Sequence, residues 1–358
     1  MKFGIQNLFP ADGRDEHVIL RETIDEIRLA DELGYDSAWL AEHHFSRYGI
    51  LGNPLLLGAA VAEATTNIRI GTAVVVLPFH NPLRLAEDAA TLDILSNGRL
   101  DLGIGRGYQP GEFRGFGVDA ETSKKRYAEI VDILKLAWTG EPFSYEGEHY
   151  SVPELRVSPK PVQPGGPPIL HAVVSAPSFV ERGERGDRII TSPTFSPLGL
   201  VKRNFDAYRE ALIENGHDPA DFDVPFMQQT WVGDSTDGIE TVAEAALTYY
   251  KTVGQILPGS QEAIASEVEY YEKVRHHLDM LTLEQALTHG GNFGSVDQVV
   301  DFLGRLATEL GVNHYICWFR IPSLDKKVAL KAMETFATKV IPQLRDLEPS
   351  APAAAVPA

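Results

Sequence analysis

The chain has a single cysteine, Cys317, among 358 residues, so no disulfide can form within it. Positive charge is also scarce: 32 Lys and Arg stand against 50 Asp and Glu, a formal net charge of −18. That balance repels nucleic acid and anionic membrane, and neither is expected as a partner. No apolar run approaches the roughly 20 residues that cross a bilayer. The opening MKFGIQNLFPADGRDE has too short an apolar stretch for a signal peptide. A cytoplasmic protein is therefore expected. Residues 346–358 form a Pro/Ala tail with nothing to pack, expected to be disordered. The remainder, 1–345, is read as one domain with 44% hydrophobic content over the chain, enough for a large core.

Within that stretch, short β-branched runs alternate with longer segments of helical period, the pattern of repeated βα units around a parallel sheet. KFGIQNLF reads as strand one, followed by a helix with Leu20, Ile24, Ile27, Ala30 and Leu33 on one stripe. SAWLAE is strand two. IRIGTAVVVL is an uninterrupted strand three, as suits a strand covered on both faces. Its following helix starts at Pro82 and ends at Asn97-Gly98, residues that can supply a left-handed cap. RLDLGIGRG, ILHAVV, RIITS, a segment near 223–233 and HYICWF complete the set, which makes an α/β fold, a (β/α)8 barrel. Two insertions interrupt it: a hairpin-like stretch after strand four, and a charged excursion with no clear strand at about 254–294, after strand seven. The repeat resumes at Ser295, whose spacing to Gln298 suits a capping box, with Val299, Leu303, Leu306 and Leu310 as the buried stripe. The last helix carries Val328, Ala332, Phe336 and Val340 at i, i+4 spacing.

A barrel of this kind places its active site at the C-terminal ends of the strands. Glu42, His43 and His44 lie past strand two, Arg106 past strand four, and Ser175 and Ser178 past strand five. Adjacent residues at a strand end point in opposite directions, and strand one offers no ligand, so the two histidines do not make a metal site. One imidazole reads as a hydrogen-bonded filler and the other as a proton-transfer or charge-stabilising group. GIGRGYQPGEF lacks the spacing of a dinucleotide fingerprint, and proline and further glycines follow it instead of a helix. Its glycines allow a flat or anionic ligand to approach the backbone, with Arg106 as a phosphate fork or as an ordinary solvated cation. Ser175 and Ser178 either cap the next helix or join its N-terminal amides in an anion site. A single anion between the two strand ends accounts for both features.

The ordered set MKFG, LGYDSAWLAEHHF, LGNP, IGTAVVVLP, LSNGRLDLGIGRG and FRGFG resembles the bacterial luciferase-like flavin-dependent monooxygenases, especially the alkanal-oxidising α-subunit branch. The resemblance implies a barrel that binds reduced FMN, supplied by a separate flavin reductase, and uses O2 through a flavin hydroperoxide to oxidise a small aldehyde, ketone or similar molecule. It implies His43 as the catalytic imidazole, Arg106 as the phosphate arginine, and Ser175 and Ser178 as hydroxyls of the phosphate loop. It also implies a non-prolyl cis peptide at Ala73-Val74 beneath the flavin ring, Glu112 near the pyrimidine end, a lid at 254–294, and a homodimer through helices two and three. Gly105, Val174 and Pro193 depart from the luciferase pattern, which has cysteine, glutamate and an aromatic residue there, and they argue against light emission. Two other readings stay open: hydride transfer with a 5-deazaflavin (F420), whose users share the barrel, and a non-catalytic flavin-binding subunit, against which the presence of both His43 and Arg106 argues.

Overall fold

The structure, a computed structural model, describes residues 1–10, 13–46, 48–193, 196–257 and 268–349. Most of the Pro/Ala tail and the centre of the 254–294 excursion thus lie outside the described residues. In chain order the elements are β1 (Lys2–Asn7), α1 (Glu16–Glu32), β2 (Ser37–Leu40), α2 (Pro54–Ala64), β3 (Arg69–Thr72), β4 (Val75–Val76), α3 (Pro82–Leu95), β5 (Leu100–Gly105), α4 (Pro110–Phe116), α5 (Ser123–Ala137), β6 (Phe143–Glu146), β7 (Ser151–Leu155), β8 (Ile169–Ala172), α6 (Ala176–Glu184), β9 (Arg188–Ile190), α7 (Leu198–Glu214) and β10 (Pro225–Gly233). They continue with α8 (Ile239–Ile256), α9 (Val268–Asp279), α10 (Leu283–His289), β11 (Asn292–Ser295), α11 (Val296–Leu310), β12 (His314–Trp318), α12 (Lys326–Thr335) and α13 (Ile341–Leu344).

The main sheet runs in the order β11-β10-β12-β1-β2-β3-β5-β8-β9, with β4 beside β5. Every pairing in it is parallel. The seam between β9 and β10 is bridged where Met227 N–H donates to the Thr191 carbonyl at 3.2 Å and Ser192 Oγ donates to the Met227 carbonyl at 3.1 Å. That closure makes the expected barrel. The antiparallel pair β6–β7 is the hairpin inserted after the fourth barrel strand.

Alternation along the strands separates two apolar layers. Phe3, Ile5, Ala38, Leu40, Ile70, Leu102, Ile104, Tyr315 and Cys317 face the helices. Trp39, Leu170, Ile190, Met227 and Ile316, from five different strands, fill the barrel interior. The helices that cover the outside are set by local signals. Ser295 and Gln298 form a reciprocal capping box on α11, Gly311 ends it at φ 65°, and Val299, Leu303, Leu306 and Leu310 are all buried. Burying side chains of this size stabilises by about 1.5–3 kcal/mol each. Asn81 caps α3 through the amides of Leu83 and Arg84, and Asn97 and Gly98 then take the left-handed conformation.

Four expectations need correction. Strand three is two pieces, β3 and β4, on either side of a cis peptide at Ala73-Val74. Alternation cannot reveal such a break, because both sides remain apolar. The excursion does contain a strand: β11 pairs with the far end of β10, Thr230 opposite Asn292, although NFGS carries no β-branched residue. A short helix, α4, does follow the glycine-rich segment, with Pro110 in its first turn and Gly117 as its left-handed cap. Two helical stripes hold in part: Ala332, Phe336 and Val340 are buried as expected but Val328 is exposed and Ala329 is buried instead, and in α1 Ile27 and Ala30 are buried while Leu20, Ile24 and Leu33 are only partly so and Ile19 is buried. In α1 the buried face includes the polar Thr23 and Glu26, which a stripe of apolar residues misses.

Candidate active site

The strands open at one rim, and β2 delivers Glu42, His43 and His44 to it. Glu42 and its two imidazole neighbours form a structural cluster. The carboxylate accepts from the Val76 amide at 3.1 Å, from His44 Nε2 at 2.8 Å and from His80 Nε2 at 3.0 Å. Burial pushes the Glu42 carboxyl up, but the hydrogen bonds from His44 and His80 outweigh it and hold the group below its ordinary value. His44 is therefore the filler imidazole: its ring is fastened to Glu42, whose carboxylate ties the end of β2 to β4 and to the turn before α3.

His43 faces a different set of groups. Its Nδ1 lies 2.9 Å from Gln109 Nε2 and 3.3 Å from Glu112 Oε1. The two contacts ask opposite things of that nitrogen, a lone pair and a proton. A glutamine amide can be turned over without changing its shape, whereas an ionised carboxylate has no proton to donate. Placing the proton on Nδ1 with the Gln109 carbonyl facing it satisfies every group and leaves Nε2 as the basic nitrogen. Glu112 is buried and also accepts from the His44 amide at 2.9 Å. The structure thus places Glu112 against the His43 imidazole, as an orienting carboxylate.

The remaining predicted residues gather on the β3–β5–β8 side of the rim. Ala73 and Val74 pack on the interior apolar layer, and both are only partly buried. A Cβ on Gly105 would come 2.4 Å from Val74 Cγ2 and 3.8 Å from Ala172 Cβ, so the ends of β4, β5 and β8 touch at this point. Ile104 pairs with His171, so Arg106 leaves β5 beside the end of β8, and Ser175 follows three residues after Ala172. Ser175 is the N-terminal cap residue of α6 by position, but its hydroxyl makes no capping bond. Ser178 Oγ donates to the Ser175 carbonyl at 2.6 Å, so as a phosphate donor it would first have to turn. The first turn of α6 adds the partial positive charge of its free amides at this end of β8.

The opposite side of the rim is covered by α8, α9 and α10. Tyr249, Tyr250, Leu257, Leu278 and Leu281 pack with Leu8, Ala41 and Trp318. An aromatic file runs through this contact: His43 against Tyr48 (4.7 Å between ring centroids), Tyr48 against Tyr249 (5.8 Å), and Tyr249 against Trp318 (4.7 Å). The Tyr48 and Tyr249 hydroxyls are 2.5 Å apart, and burial raises both phenols well above their ordinary value. Gln109, Tyr48, Tyr249 and Trp318 were not singled out from sequence. Gln109 lies within the glycine-rich stretch and Tyr48 five residues past His43, whereas Tyr249 reaches the site from α8 and Trp318 from β12, which nothing near His43 in the sequence indicates.

The profile of the luciferase-like monooxygenase family matches residues 1–314. A flavin-dependent trigonelline monooxygenase oxygenase component from Acinetobacter baylyi is 27% identical, covering 93% of this chain and 92% of its own. An alkanal monooxygenase alpha chain from a Kryptophanaron alfredi symbiont is 26% identical, covering 97% and 99%. Among solved structures, the oxygenating constituent of the type II Baeyer-Villiger enzyme 3,6-diketocamphane monooxygenase from Pseudomonas putida, in complex with FMN, superposes with a TM-score of 0.78 at 23% identity, over 96% of this chain and 98% of that one.

Proposed function

Because the chain belongs to the luciferase-like monooxygenase family, we propose that it is the oxygenase of a two-component system, taking reduced FMN from a separate flavin reductase and using O2 to oxidise a small aldehyde, ketone or related carbonyl compound. The observation that carries this reading is the split rim: an imidazole held by Gln109 and Glu112 on one side, and on the other Arg106 leaving β5 next to the strand β8 that leads into the N-terminus of α6. Small residues at Ala73, Gly105 and Ala172 leave a low, partly open shelf between them, which suits a planar ring. FMN fits these residues. Arg106, Ser175 and the first amides of α6 would hold the phosphate, with Ser178 joining once its hydroxyl turns, and Ala73 and Val74 would lie under the ring.

Reduced FMN, when bound, supplies the electrons that activate O2, so that one oxygen atom enters the substrate and the other leaves as water. The chain's own part is to exclude water and to manage protons. The apolar cover of α8, α9 and α10 dries the His43 side, where desolvation strengthens each polar contact. His43 Nε2 takes or returns a proton while Glu112 and Gln109 hold the ring in one tautomer. The relatives support a small organic substrate, since the names of those described above concern alkanals, trigonelline and a diketone.

The test is an anaerobic titration with FMNH2 and, separately, with reduced 5-deazaflavin, followed by addition of O2 and an aldehyde or ketone. Tight FMNH2 binding and oxygen-dependent product support the proposal. Binding of the deazaflavin alone would replace it with hydride transfer.

A further inference from the structure

Resting on the oxygenase reading, we infer that Gln229, with Gln6 on the other side of Trp318, is a specificity site for a polar group on a compact, ring-bearing organic substrate. Met227 lies in the barrel interior, so Gln229, two residues on along β10, faces the same way one step nearer the rim. Gln229 pairs in register with Trp318 of β12. Ile5 pairs with Cys317, which sets Gln6 beside Trp318, and Gln6 itself pairs with Trp39 of β2. Gln229, Trp318, Gln6 and Trp39 therefore form one row along the inner wall.

The two indoles in this row already have partners: Trp39 Nε1 donates to Ser37 Oγ at 2.9 Å and Trp318 Nε1 to the Arg320 carbonyl at 3.0 Å. The amides do not. Gln229 is 1% exposed, and neither its Oε1 nor its Nε2 has a hydrogen-bond partner among the described residues. Gln6, 5% exposed, has the same unmet need at Oε1. Buried polar groups are almost always hydrogen-bonded, and leaving one unmet is destabilising. Two such amides on either side of Trp318, walled by indoles and reached by the aromatic file from His43, form a site that a bound molecule completes.

That molecule is the organic substrate and not the coenzyme, because the row lies on β10, β12, β1 and β2. The proposed phosphate residues follow β5 and β8, and Ala73 and Val74 follow β3, so that in the sheet order only Trp39 of this row, on β2, borders them. His43, leaving β2, stands between the two walls. The flat aromatic surroundings favour a ring, and the amides favour a hydroxyl or second carbonyl on it. An unfunctionalised alkyl chain would leave the amides unpaired.

The FMN-loaded protein and its Gln229→Met variant are titrated with 4-hydroxyacetophenone and with acetophenone, following tryptophan fluorescence. Wild type should bind the hydroxylated ketone at least tenfold more tightly, and the variant should lose that preference while keeping wild-type FMN affinity. The variant should melt at the same temperature as wild type or higher, since an apolar side chain of similar length removes an unpaired amide. Equal binding of the two ketones by wild type, an unchanged preference in the variant, or a lower melting temperature would overturn the inference. So would a tenfold loss of FMN affinity, which would assign Gln229 to the coenzyme. If wild type fails to bind FMN at all, the oxygenase reading falls instead, and the same ketone comparison on the FMN-free protein still decides the role of Gln229.

Discussion

At the scale of single residues, the two histidines that sit next to each other in sequence have separate tasks. His44 is fastened to Glu42, and His43 is held by Gln109 and Glu112. His43→Ala should keep FMN binding and lower the oxygenation rate by about 10²–10⁴-fold, the usual contribution of a positioned proton-transfer group, as measured by single-turnover mixing of the reduced complex with O2. Arg106→Ala should raise the FMN dissociation constant about tenfold or more, since a charged hydrogen bond contributes about 1.5–3 kcal/mol; unchanged affinity would remove Arg106 from the phosphate site. A third residue bears on stability. Burial pushes the His171 imidazole down to about 4, with Asp187 pulling it back up, and Tyr127 Oη and Arg182 Nη1 both lie within hydrogen-bond reach of its Nδ1. The folded protein keeps this ring neutral, whereas the unfolded chain takes up a proton below the ordinary value of 6.5. Its contribution is thus complete above that value and is lost as pH falls toward 4, by on the order of 3 kcal/mol. Urea unfolding of wild type and His171→Gln at about pH 7.5 and about pH 5 should show a smaller pH dependence in the variant.

At the scale of elements, glycines decide how closely the strands of the rim approach. A Cβ on Gly103 would fall 1.9 Å from the Thr72 carbonyl oxygen, which is backbone and cannot swing away. Gly103→Ala should therefore force β3 and β5 apart and cost several kcal/mol, at the upper end of single substitutions, read from the denaturation midpoint. The neighbouring Gly105 differs in kind, because the atom a side chain would meet is the Val74 methyl. This gives the departure from the luciferase cysteine a physical reason: the space that side chain would need is taken here by Val74. The elements that sequence located well, such as α11 and α3, carry their own start and stop signals. β11 and α4 were missed because a four-residue strand is made by its partner β10, and a seven-residue helix is too short to show a period.

At the scale of the molecule, the barrel leaves apolar side chains on α2 and α3 in the open: Leu56 is 73% exposed, Ile94 42% and Leu95 47%. A homodimer through the two helices, as the resemblance implies, would bury these side chains. Light scattering on the purified protein should give twice the mass of one chain, and Leu56→Glu should shift it toward a single chain without lowering the melting temperature of the barrel. No helix among the described residues is long and apolar enough to cross a membrane.

Arg106 and Ser175, the residues proposed for the phosphate, stand out in the sequence because they follow β5 and β8, where chain order and barrel geometry coincide. The alternation of short apolar runs with helical stripes likewise determined the barrel, since each run can be buried only against its neighbours. The His43 environment was decided by tertiary structure. Gln109 and Glu112 are more than sixty residues away in the chain, and Tyr249 and Trp318 come from farther still. Gln229 and Gln6 come to flank Trp318 only when β12 inserts between β10 and β1, because that step joins the two ends of the chain in one sheet.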